Sequence, residues 1–404
     1  MQTSTSMGTR SLDALGVPLG PTVLRRILPA VASALDGGPA LLPLPEHPAA
    51  VRDSLLTALR PSVPVESHDD PVALVVPTSG STGEPKGVLL GSAALRASAT
   101  ATHDRLGGPG RWLLALPATH VGGLMVLVRS VVAGAEPIAM DLSRGFDPES
   151  FAAASVRVLH STTTRRYTAL VPHQLCVILD ADGAALAALT AFDAVLVGGS
   201  ACAPGLLDRA RSAGVPVVTT YGMTETCGGC VYDGLPLDGV RVSTTEDGRV
   251  RLAGPMLMHG YRLRPDLTRE ALADGWFTAA DLGSVDADGR LEVDGRVDDV
   301  AVSGGVNVPL PAVDAVVAGH PGVADVATVA VPDPKWGQRV VAVVVPRIPA
   351  DPPTLASVRA HVQRSSPAAH APKELVVVRT LPRLPGGKVD RRELTARLLE
   401  TTTA

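Results

Sequence analysis

Short apolar runs rich in Val and Leu recur along the first 300 residues and alternate with Ala-, Leu- and Arg-rich segments. Runs of this length, bounded by Gly or Pro, favour buried strands; they are VALVVP (72–77), WLLALP (112–117), AVLVGGS (194–200) and VPVVTTYG (215–222). ESFAAAS (149–155) and APGLLDRARSAG (203–214) are predicted helices, the second ending at a glycine. Strands that alternate with helices predict an α/β fold, with helices on the faces of a sheet.

The pattern changes near residue 245, where Asp-Gly pairs separate short strands in TTEDGRVRLAG and SVDADGRLEVDGR, as they do in β-hairpins. After residue 300 come the apolar runs AVDAVVAGHPG, VADVATVAVPD, RVVAVVVP, ASVRAHVQRS and ELVVVRTLP. These runs predict an α+β unit of about 100 residues, an ordinary domain size. We therefore expect a large N-terminal domain of layered sheets and helices, residues 1–297, and a small α+β C-terminal domain, residues 298–404. The charged turn Val297–Asp299 is the expected boundary.

Composition and charge exclude several classes of protein. Of the 404 residues, 46% are hydrophobic and 19% charged, which indicates a globular chain, and the net charge of -4 provides no basic surface for nucleic acid. The longest apolar stretch, Leu113–Val128, includes Pro117 and His120 and is too short for a bilayer, so we expect no membrane insertion. Because the N-terminal segment lacks an apolar signal core, we expect a cytoplasmic protein. The sequence leaves the oligomeric state open, a homodimer included.

Cys227 and Cys230 form a Cys-x-x-Cys pair in TETCGGC, the spacing of redox pairs and of half a zinc site. The other two cysteines, Cys176 and Cys202, do not repeat this spacing, and no helix-opening pattern follows the pair to lower a thiol pKa. We therefore interpret Cys227 and Cys230 as buried thiols without a catalytic or metal-binding role.

The stretch VVPTSGSTGEPKGVLL (75–90) places glycines, hydroxyl residues and Lys86 between two aliphatic runs. Glycine-rich loops expose backbone N–H groups that surround anionic oxygens, and a lysine adds positive charge. A Walker A loop requires Gly-Lys-Ser/Thr leading into a helix, whereas here Pro85 precedes Lys86 and a strand pattern follows Gly87. Because such a loop on its own is as often a surface turn, the rest of the sequence must decide between a turn and a phosphate site.

Four further stretches accompany this loop, in the order typical of one superfamily. They are YGMTE (221–225), GWFTAADLG (275–283), GRVDDVAVSGGVNV (295–308) and LPRLPGGKVDRREL (381–394). Together with TSGSTGEPKG they resemble the motifs of the adenylate-forming enzymes, which include acyl- and aryl-CoA synthetases, luciferases and peptide-synthetase adenylation domains. The resemblance covers about residues 70–400. It implies that a carboxylate attacks the α-phosphorus of ATP to give an acyl-adenylate and pyrophosphate, after which a thiol takes the acyl group and releases AMP.

The resemblance also implies a role for each motif residue. Both reactants are anions, so the site must supply cations and hydrogen-bond donors. The implied nucleotide-binding residues are Thr78, Ser79, Gly80, Ser81, Thr82, Gly83 and Lys86 at the β- and γ-phosphates, Tyr221 and Gly222 with Gly198, Gly199, Ser200 and Ala201 at adenine, and Asp281 with Arg296 at the ribose. The implied catalytic residues are Glu225 as the Mg²⁺ ligand, Thr224 as a donor to the α-phosphate, and Lys388 as the bridge between the substrate carboxylate and the α-phosphate.

Each of these residues has a plain structural interpretation as well. Taken singly, Thr224 and Glu225 indicate a helix cap, Asp281 a turn, Arg296 with Asp298 a surface ion pair, and Lys388 a solvated charge. Only the occurrence of all five motifs in order favours the catalytic and nucleotide-binding roles over these structural interpretations.

The same resemblance also gives a functional reason for two domains. Lys388 must reach the α-phosphate in the first half-reaction, and a long thiol such as coenzyme A must reach the same carbonyl in the second. We hypothesise that the C-terminal domain is mobile and swings about Asp298, which brings Gly304, Gly305 and Asn307 to the thiol channel.

Three stretches indicate the acid. LPATHVGGLMVLVRS (116–130), YTALVPHQL (167–175) and TETCGGCVYDGLPLDGV (224–240) resemble the short members of the superfamily that act on o-succinylbenzoate, a dicarboxylate with an aromatic ring. Its second carboxylate needs polar partners in a closing pocket. The candidates are His120, Arg129 and Thr168, with room for the ring at Gly228 and Gly229. Alternatively, Arg129 is a surface residue that ends a buried helix, and His120 is a core histidine.

The chain departs from the superfamily pattern at a few positions: Ala279–Ala280, where Thr-Gly is usual, Ala312 and Asp314, where acidic residues are usual, and His173. These departures leave the main cation and carboxylates intact but weaken the assignment of the acid. Another aryl- or acyl-CoA ligase, or a stand-alone adenylation enzyme that loads a carrier protein, therefore stays open. A catalytically silent nucleotide-binding protein is a further alternative, against which the presence of Lys388, Glu225 and Asp281 together weighs.

Overall fold

The computed structural model of the chain describes residues 9–66, 69–79, 85–160, 164–202, 205–383 and 389–402. The helices are α1 (Thr22–Arg26), α2 (Leu28–Leu35), α3 (Ala49–Leu59), α4 (Ser92–Arg105), α5 (Val121–Ala133), α6 (Pro148–Leu159), α7 (Pro172–Ala181), α8 (Gly183–Thr190), α9 (Leu206–Ser212), α10 (Pro265–Ala271), α11 (Leu310–Ala318), α12 (Leu355–Gln363) and α13 (Arg391–Thr402). Short 3-10 helices span Thr224–Thr226, Val297–Asp299 and Ala368–His370.

The strands of the N-terminal region are β1 (Thr9–Arg10), β2 (Leu12–Val17), β3 (Ala40–Pro45), β4 (Val65–Glu66), β5 (Val72–Ser79), β6 (Pro85–Gly91), β7 (Gly110–Leu114), β8 (Ile138–Ala139), β9 (Arg165–Leu170), β10 (Ala194–Gly198), β11 (Val217–Met223), β12 (Gly228–Tyr232), β13 (Leu235–Pro236), β14 (Arg241–Thr244), β15 (Arg249–Ala253), β16 (Gly260–Tyr261), β17 (Leu272–Ala273), β18 (Trp276–Val285) and β19 (Leu291–Arg296). Those of the C-terminal region are β20 (Val300–Ser303), β21 (Val306–Pro309), β22 (Val323–Asp333), β23 (Gly337–Pro346) and β24 (Glu374–Val377).

The largest sheet has seven strands in the order β13-β12-β11-β10-β9-β7-β8. Strands β8, β7, β9, β10 and β11 run parallel, and β12 and β13 are antiparallel to their neighbours. Parallel strands need crossover connections over the faces of the sheet, and helices α5 to α9 lie on those crossovers. The alternation of strands and helices predicted from the sequence is therefore confirmed.

Both faces of this sheet are covered. Trp112 and Leu114 of β7 belong to the buried cluster that includes Leu124 of α5. Leu113 lies between them in the sequence but belongs to the cluster on the opposite face, with Phe151 of α6. Successive strand side chains point to opposite faces, so an unbroken apolar run indicates a strand that is buried on both.

Besides the two-stranded antiparallel sheet β1–β4, two five-stranded sheets complete the described part of the N-terminal region. One has the order β16-β6-β5-β3-β2 and contains the antiparallel hairpin β5–β6. The other has the order β14-β15-β18-β17, with β19 paired to β18. The predicted Asp-Gly turns lie in this second sheet, between β14 and β15 and between β18 and β19.

The C-terminal strands form a sheet of their own, in the order β21-β20-β23-β22, with β24 parallel to β23. Val313 of α11 and Val358 of α12 are in the buried cluster on one face, and Leu394 of α13 is in the cluster on the other. The predicted α/β fold class is confirmed. The expected boundary between residues 297 and 298 falls in the 3-10 helix Val297–Asp299, and the mobility of the C-terminal domain stays a prediction.

The apolar stretch Leu113–Val128 comprises the end of β7, a connecting segment and the first part of helix α5, and most of its apolar side chains are buried. Within the part of the chain that the structure describes, no helix is both long and apolar enough to cross a membrane.

Candidate active site

Strands β5 and β6, which flank the glycine-rich part of the stretch 75–90, pair antiparallel so that Thr78 lies opposite Lys86. The Thr78 hydroxyl donates to the Lys86 carbonyl oxygen at 3.5 Å. A strand follows the loop, as predicted, which excludes the helix that a Walker A loop needs. Gly80, Ser81, Thr82 and Gly83 lie outside the described residues, as does the Ser79 side chain, so their role stays a prediction.

Lys86 lies beside a tyrosine that the sequence analysis did not identify. Its Nζ is 5.2 Å from the centroid of the Tyr261 ring, a cation–π distance. Tyr261 belongs to β16, which pairs antiparallel with β6 so that Tyr261 lies opposite Val88. The lysine and the ring are therefore placed by two neighbouring strands of one sheet.

Tyr261 also contacts Glu225. Its hydroxyl donates a 2.8 Å hydrogen bond to Glu225 Oε1. Burial, and then the Glu225 carboxylate, raise the pKa of the Tyr261 hydroxyl, so it stays protonated and can only donate to that oxygen. Lys86, Tyr261 and Glu225 thus form one connected group, which we call the Lys86–Tyr261–Glu225 triplet.

Glu225 lies in the 3-10 helix Thr224–Thr226, directly after β11. Thr226, not Thr224 or Glu225, makes the local capping contacts: the Met223 N–H donates to Thr226 Oγ1 at 3.0 Å, and the Thr226 hydroxyl donates to the Gly228 carbonyl at 2.7 Å. The helix-cap interpretation therefore belongs to Thr226. Thr224 is buried and the Glu225 side chain is half-buried.

A second tyrosine–carboxylate pair lies four residues earlier on the same segment. The Tyr221 hydroxyl donates to Asp281 Oδ2 at 2.8 Å. Arg296 lies opposite Asp281 across the β18–β19 ladder, with Nη1 at 3.5 Å from Oδ1. The turn interpretation of Asp281 is wrong, because the residue lies within strand β18, and Arg296 pairs with Asp281.

Burial and then the Asp281 charge raise the pKa of Tyr221, so this hydroxyl also stays a donor. The Asp281 side chain is only 14% exposed, whereas that of Arg296 is 48% exposed. Since Tyr221 and Glu225 lie on one β11–helix segment, the structure brings Lys86, Glu225 and Asp281 together through two tyrosines.

Glycines allow the backbones to approach closely around this segment. A Cβ on Gly198, at the end of β10, would lie 2.5 Å from the Thr220 carbonyl oxygen. A Cβ on Gly222 would lie 2.1 Å from the Gly228 carbonyl oxygen. Gly199 follows with φ +82, and Ser200 and Ala201 are exposed at the strand end. The adenine contact of these residues stays a prediction.

The structure separates the predicted acid-binding residues. Thr168 is fully buried and donates to the Leu113 carbonyl at 3.2 Å. Arg129 is buried within α5, so it is not a surface residue. His120 is exposed at the N-cap of α5, so it is not a core histidine. Acid binding by these three side chains stays a prediction, and for Thr168 and Arg129 the contacts seen are internal.

Arg129 lies in a buried polar cluster. Its guanidinium carbon is 5.1 Å from the Trp112 ring centroid and Nη2 is 3.4 Å from the Tyr232 hydroxyl. The Trp112 N–H donates to His103 Nε2 at 3.4 Å. Burial and then Arg129 lower the pKa of His103 to about 4, so the imidazole is neutral near pH 7.

Gly228 and Gly229 open β12 beside helix α5. Gly228 has φ +85, and a Cβ there would lie 3.4 Å from Met125 Cγ and 3.8 Å from Val121 Cγ2. The space that the sequence analysis assigned to an aromatic ring is thus bordered by apolar side chains of α5. The adjoining thiols, Cys227 and Cys230, are fully buried, and burial raises the pKa of both, to about 12 for Cys230.

In the C-terminal region, Gly304 and Gly305 form the turn between β20 and β21, with φ +62 and +80. A Cβ on Gly304 would lie 3.0 Å from Trp336 Cε3, so the turn packs on that indole. Nothing is described of the Asp298 and Asn307 side chains, and Lys388 lies outside the described residues. The hinge, thiol-channel and catalytic roles of these residues stay predictions.

Two of the departures from the superfamily pattern have structural explanations. Asp314 forms an ion pair with Arg391 of α13 and accepts a hydrogen bond from the Thr328 N–H, so it joins α11, β22 and α13. Ala279 is buried in the main core cluster. His173 is exposed on α7.

The Glu225 carboxylate is a suitable ligand for Mg²⁺. Mg²⁺ is usually held by one or two carboxylates together with substrate phosphates and water, and Glu225 supplies one half-buried carboxylate that is connected through Tyr261 to Lys86 of the β5–β6 hairpin. Across the described ranges there is no group of three or more His, Cys, Asp or Glu side chains that fits a metal. The arrangement therefore suits a cation that arrives with a polyphosphate.

Residues 23–254 match the family of AMP-binding enzymes, and residues 312–388 match the AMP-binding enzyme C-terminal domain. The first match alone covers more than half of the 404 residues. The chain therefore belongs to the AMP-binding enzyme family, and the resemblance carried by the five motifs is confirmed.

Three individual proteins show which members of the family this chain is similar to. The probable 2-succinylbenzoate–CoA ligase of Mycobacterium tuberculosis (strain CDC 1551 / Oshkosh) is 48% identical over 391 residues, which are 96% of this chain and 98% of that protein. Sulfoacetate–CoA ligase of Cupriavidus necator is 34% identical over 352 residues, 80% of this chain and 67% of that protein. The solved o-succinylbenzoate CoA synthetase of Bacillus subtilis, in complex with its acyl-adenylate intermediate, has a TM-score of 0.75 at 25% identity, covering 95% of this chain and 82% of that one.

Proposed function

We propose that the chain is an AMP-forming ligase of menaquinone biosynthesis, with ATP, o-succinylbenzoate and coenzyme A as substrates. It activates o-succinylbenzoate as an acyl-adenylate and transfers the acyl group to coenzyme A, with release of pyrophosphate and AMP. One observation carries the nucleotide chemistry: Tyr261 joins the phosphate-hairpin Lys86 to the Glu225 carboxylate. The choice of acid is supported by the 48% identity to a probable 2-succinylbenzoate–CoA ligase over nearly the whole of both chains.

The first half-reaction brings a carboxylate to a polyphosphate. Two unit charges 4 Å apart repel by roughly 4 kcal/mol at an effective dielectric of 20, which is about three decades in rate. Lys86 supplies positive charge at the hairpin, and the Thr78 hydroxyl lies opposite it on β5. In the proposal, Lys388 supplies a second cation between the substrate carboxylate and the α-phosphate, and Thr224 donates to the same phosphate.

Glu225 is the proposed ligand of Mg²⁺, which, when bound, neutralises part of the charge on the phosphates. The carboxylate is held by Tyr261 rather than by a cationic partner among the described side chains, so its negative charge is not already neutralised. This leaves it suited to a divalent cation.

Asp281 is the proposed acceptor for the ribose hydroxyls. A diol presents two donors, and a carboxylate has two oxygens that can accept both. Tyr221 occupies Oδ2 and keeps the carboxylate in one orientation beside the strand end where adenine is expected. Arg296 balances the charge of Asp281 from the exposed side.

The second half-reaction requires a route for a long thiol. The turn Gly304–Gly305, packed on Trp336, is the proposed part of this route on the C-terminal domain. Because Lys388 and the thiol need the same carbonyl at different times, we propose that the domain rotates about Asp298 between the two steps.

A second candidate is a ligase for a different acid, with coenzyme A or a carrier protein as acceptor. One observation favours keeping it: a relative at 34% identity over 80% of this chain is a sulfoacetate–CoA ligase, so the shared fold serves more than one acid. The internal hydrogen bond of Thr168 favours it further, because the Thr168 hydroxyl is already used by the Leu113 carbonyl and not by a second substrate carboxylate.

The test is an acid panel with ATP and Mg²⁺, in which pyrophosphate release is measured with and without coenzyme A. The proposal expects release with o-succinylbenzoate, and AMP formation that continues through many turnovers only when coenzyme A is present. Release with another acid alone supports the second candidate, and no release with any acid contradicts both.

Lys388→Ala provides the matched comparison in the same assay. The proposal expects this variant to lose acyl-adenylate formation by at least about a hundredfold, because it removes the cation at the reacting groups. Arg397→Ala, which removes an exposed positive charge from α13, should leave the rate within about twofold.

A further inference from the structure

We propose that Tyr261 is a positioning residue that orients both the metal-binding carboxylate and the phosphate-binding lysine. Its hydroxyl holds Glu225, and its ring holds Lys86. The inference rests on the proposed function and deepens the account of the same site.

The contacts of the side chain support two separate tasks. The hydroxyl is 2.8 Å from Glu225 Oε1, and the ring centroid is 5.2 Å from Lys86 Nζ. Tyr261 is only 8% exposed, so solvent does not compete strongly for either contact. One rigid ring thus fixes two flexible charged side chains that arrive from different segments of the chain.

The backbone of Tyr261 is fixed independently of any ligand. Its N–H donates to Thr268 Oγ1 at 2.8 Å, and it pairs with β6 opposite Val88. Its neighbour Arg262 is buried, and the N–H of Arg262 donates to the Gly87 carbonyl at 2.7 Å. The Arg262 guanidinium also donates to the carbonyls of Leu59, Arg60 and Val63.

The other end of the same segment is hydrogen-bonded to the backbone of Glu225. The Met258 N–H donates to the Glu225 carbonyl oxygen at 2.9 Å, and the His259 N–H donates to the Leu89 carbonyl at 2.9 Å. Residues 258–262 therefore connect the strand that carries Lys86 with the 3-10 helix that carries Glu225. Tyr261 projects from the middle of that connection, where one hydroxyl and one ring reach both charges.

Preorganisation is the expected benefit. A long glutamate or lysine side chain loses rotational freedom when it binds a ligand, and a side chain that is already held loses less. Removal of the hydroxyl alone should loosen Glu225, and removal of the ring as well should loosen Lys86.

Two substitutions separate the tasks: Tyr261→Phe removes the hydroxyl and keeps the ring, and Tyr261→Leu removes both. The measurement is the binding of ATP by calorimetry without any acid, first in excess EDTA and then across a Mg²⁺ titration. We expect Tyr261→Phe to bind ATP like the wild type in EDTA but to require about tenfold more Mg²⁺ for the same gain in affinity. Tyr261→Leu should in addition bind ATP several-fold more weakly in EDTA.

Tyr221→Phe is the matched control, since it removes the hydroxyl that donates to the other carboxylate, Asp281. It should leave the Mg²⁺ requirement unchanged. A further cycle uses Glu225→Gln, in which Tyr261→Phe should produce no additional change in the Mg²⁺ requirement. This cycle separates a specific contact from general loosening of the fold, which would act equally in either background.

A wild-type Mg²⁺ requirement in Tyr261→Phe overturns the inference, as does an equal loss of ATP affinity in EDTA and in Mg²⁺, because that is a purely structural effect. These outcomes differ from failure of the proposed function. If no acid is activated while Mg²⁺-dependent ATP binding follows the expected pattern, the role of Tyr261 is supported and the ligase assignment is contradicted. If the wild type binds no ATP, both are overturned.

Discussion

Glu225 and Asp281 are carboxylates that each accept a 2.8 Å hydrogen bond from a tyrosine hydroxyl. The sequence predicts both carboxylates, because each lies in a short motif with a recognisable chemistry. It predicts Tyr221 only as a ring for adenine and does not predict Tyr261, which is 36 residues from Glu225. Such pairings depend on which distant strands become neighbours, and no local pattern specifies that.

Asp281 provides a test of ribose recognition at the residue scale. Asp281→Asn should weaken ATP binding by about tenfold, since hydrogen bonds to a charged acceptor contribute roughly 1.5–3 kcal/mol. It should also bind ATP and 2′-deoxy-ATP almost equally, whereas the wild type prefers ATP. The check is a pair of calorimetric titrations for each protein.

Asp294→Asn on the exposed part of β19 is the control and should keep the preference for ATP. An unchanged preference in Asp281→Asn would assign the ribose contact to another residue.

His103 gives a pH prediction. Its pKa is lowered to about 4 in the folded protein, whereas it is 6.5 for an unfolded chain, so the unfolded state binds more protons between those values. The contribution of the neutral His103 to the free energy of unfolding should be fully present above pH 6.5 and should be lost as the pH decreases towards 4. His103→Gln should reduce this loss by roughly 2 kcal/mol, as measured by urea unfolding across the pH range.

The same substitution at the exposed His173 is the control and should leave the pH dependence as it is in the wild type. A His103→Gln protein with the wild-type pH dependence would show that another group is responsible.

At the element scale, helix α5 begins with adjacent glycines in different surroundings. A Cβ on Gly123 would lie 2.4 Å from the Pro117 carbonyl oxygen, which is backbone and cannot easily move. A Cβ on Gly122 would meet only the flexible Leu116 side chain, at 3.2 Å. The start of α5 therefore packs directly on the segment that connects it to β7, beside the proposed acid pocket.

Gly122 and Gly123 therefore allow a matched pair of substitutions. Gly123→Ala should destabilise the protein by about 1–3 kcal/mol because the backbone must shift. Gly122→Ala should be neutral or slightly stabilising, because alanine favours helix by up to about 1 kcal/mol over glycine. The measurement is the free energy of unfolding in urea. Equal effects of the two substitutions would contradict the packing described for α5.

The extents of some elements also differ from the sequence expectation. WLLALP (112–117) is a single apolar run, yet β7 ends at Leu114. Pro117 accepts a hydrogen bond from the His120 N–H and forms a turn into α5. Ala115 is buried and Leu116 and Pro117 are half-buried, so the apolar run continues past the end of the strand, and hydrophobicity alone does not show where the strand ends.

At the scale of the whole molecule, the sequence predicts that the C-terminal apolar runs form a unit with its own pattern, and these runs do form a sheet of their own; the division into two domains stays a prediction. The proposed acid pocket is less well predicted by the sequence. Thr168 and Arg129 are polar residues in apolar stretches, a pattern that suits a substrate contact and an internal hydrogen bond equally well. Only the structure shows that Thr168 donates to β7 and that Arg129 Nη2 lies 3.4 Å from the Tyr232 hydroxyl, while Arg129 Nε is buried without a hydrogen-bond partner among the described residues.

The proposed hinge gives a prediction at this scale. Asp298→Pro should restrict rotation about the backbone in the 3-10 helix Val297–Asp299. It should keep ATP–pyrophosphate exchange within about twofold of the wild type and reduce thioester formation by about tenfold or more. Separate assays of the two half-reactions are the check.

Asp298→Ala removes the same side chain without this restriction and should keep both half-reactions. Equal losses of exchange and of thioester formation in Asp298→Pro would contradict the rotation.

The most direct test of the account is mass spectrometry of the products that the wild-type protein forms from ATP, Mg²⁺ and o-succinylbenzoate, before and after coenzyme A is added. The account predicts o-succinylbenzoyl-adenylate and pyrophosphate before the addition, and o-succinylbenzoyl-CoA with AMP after it. Intact ATP, or ATP cleaved to ADP and phosphate, in the presence of this acid would contradict it.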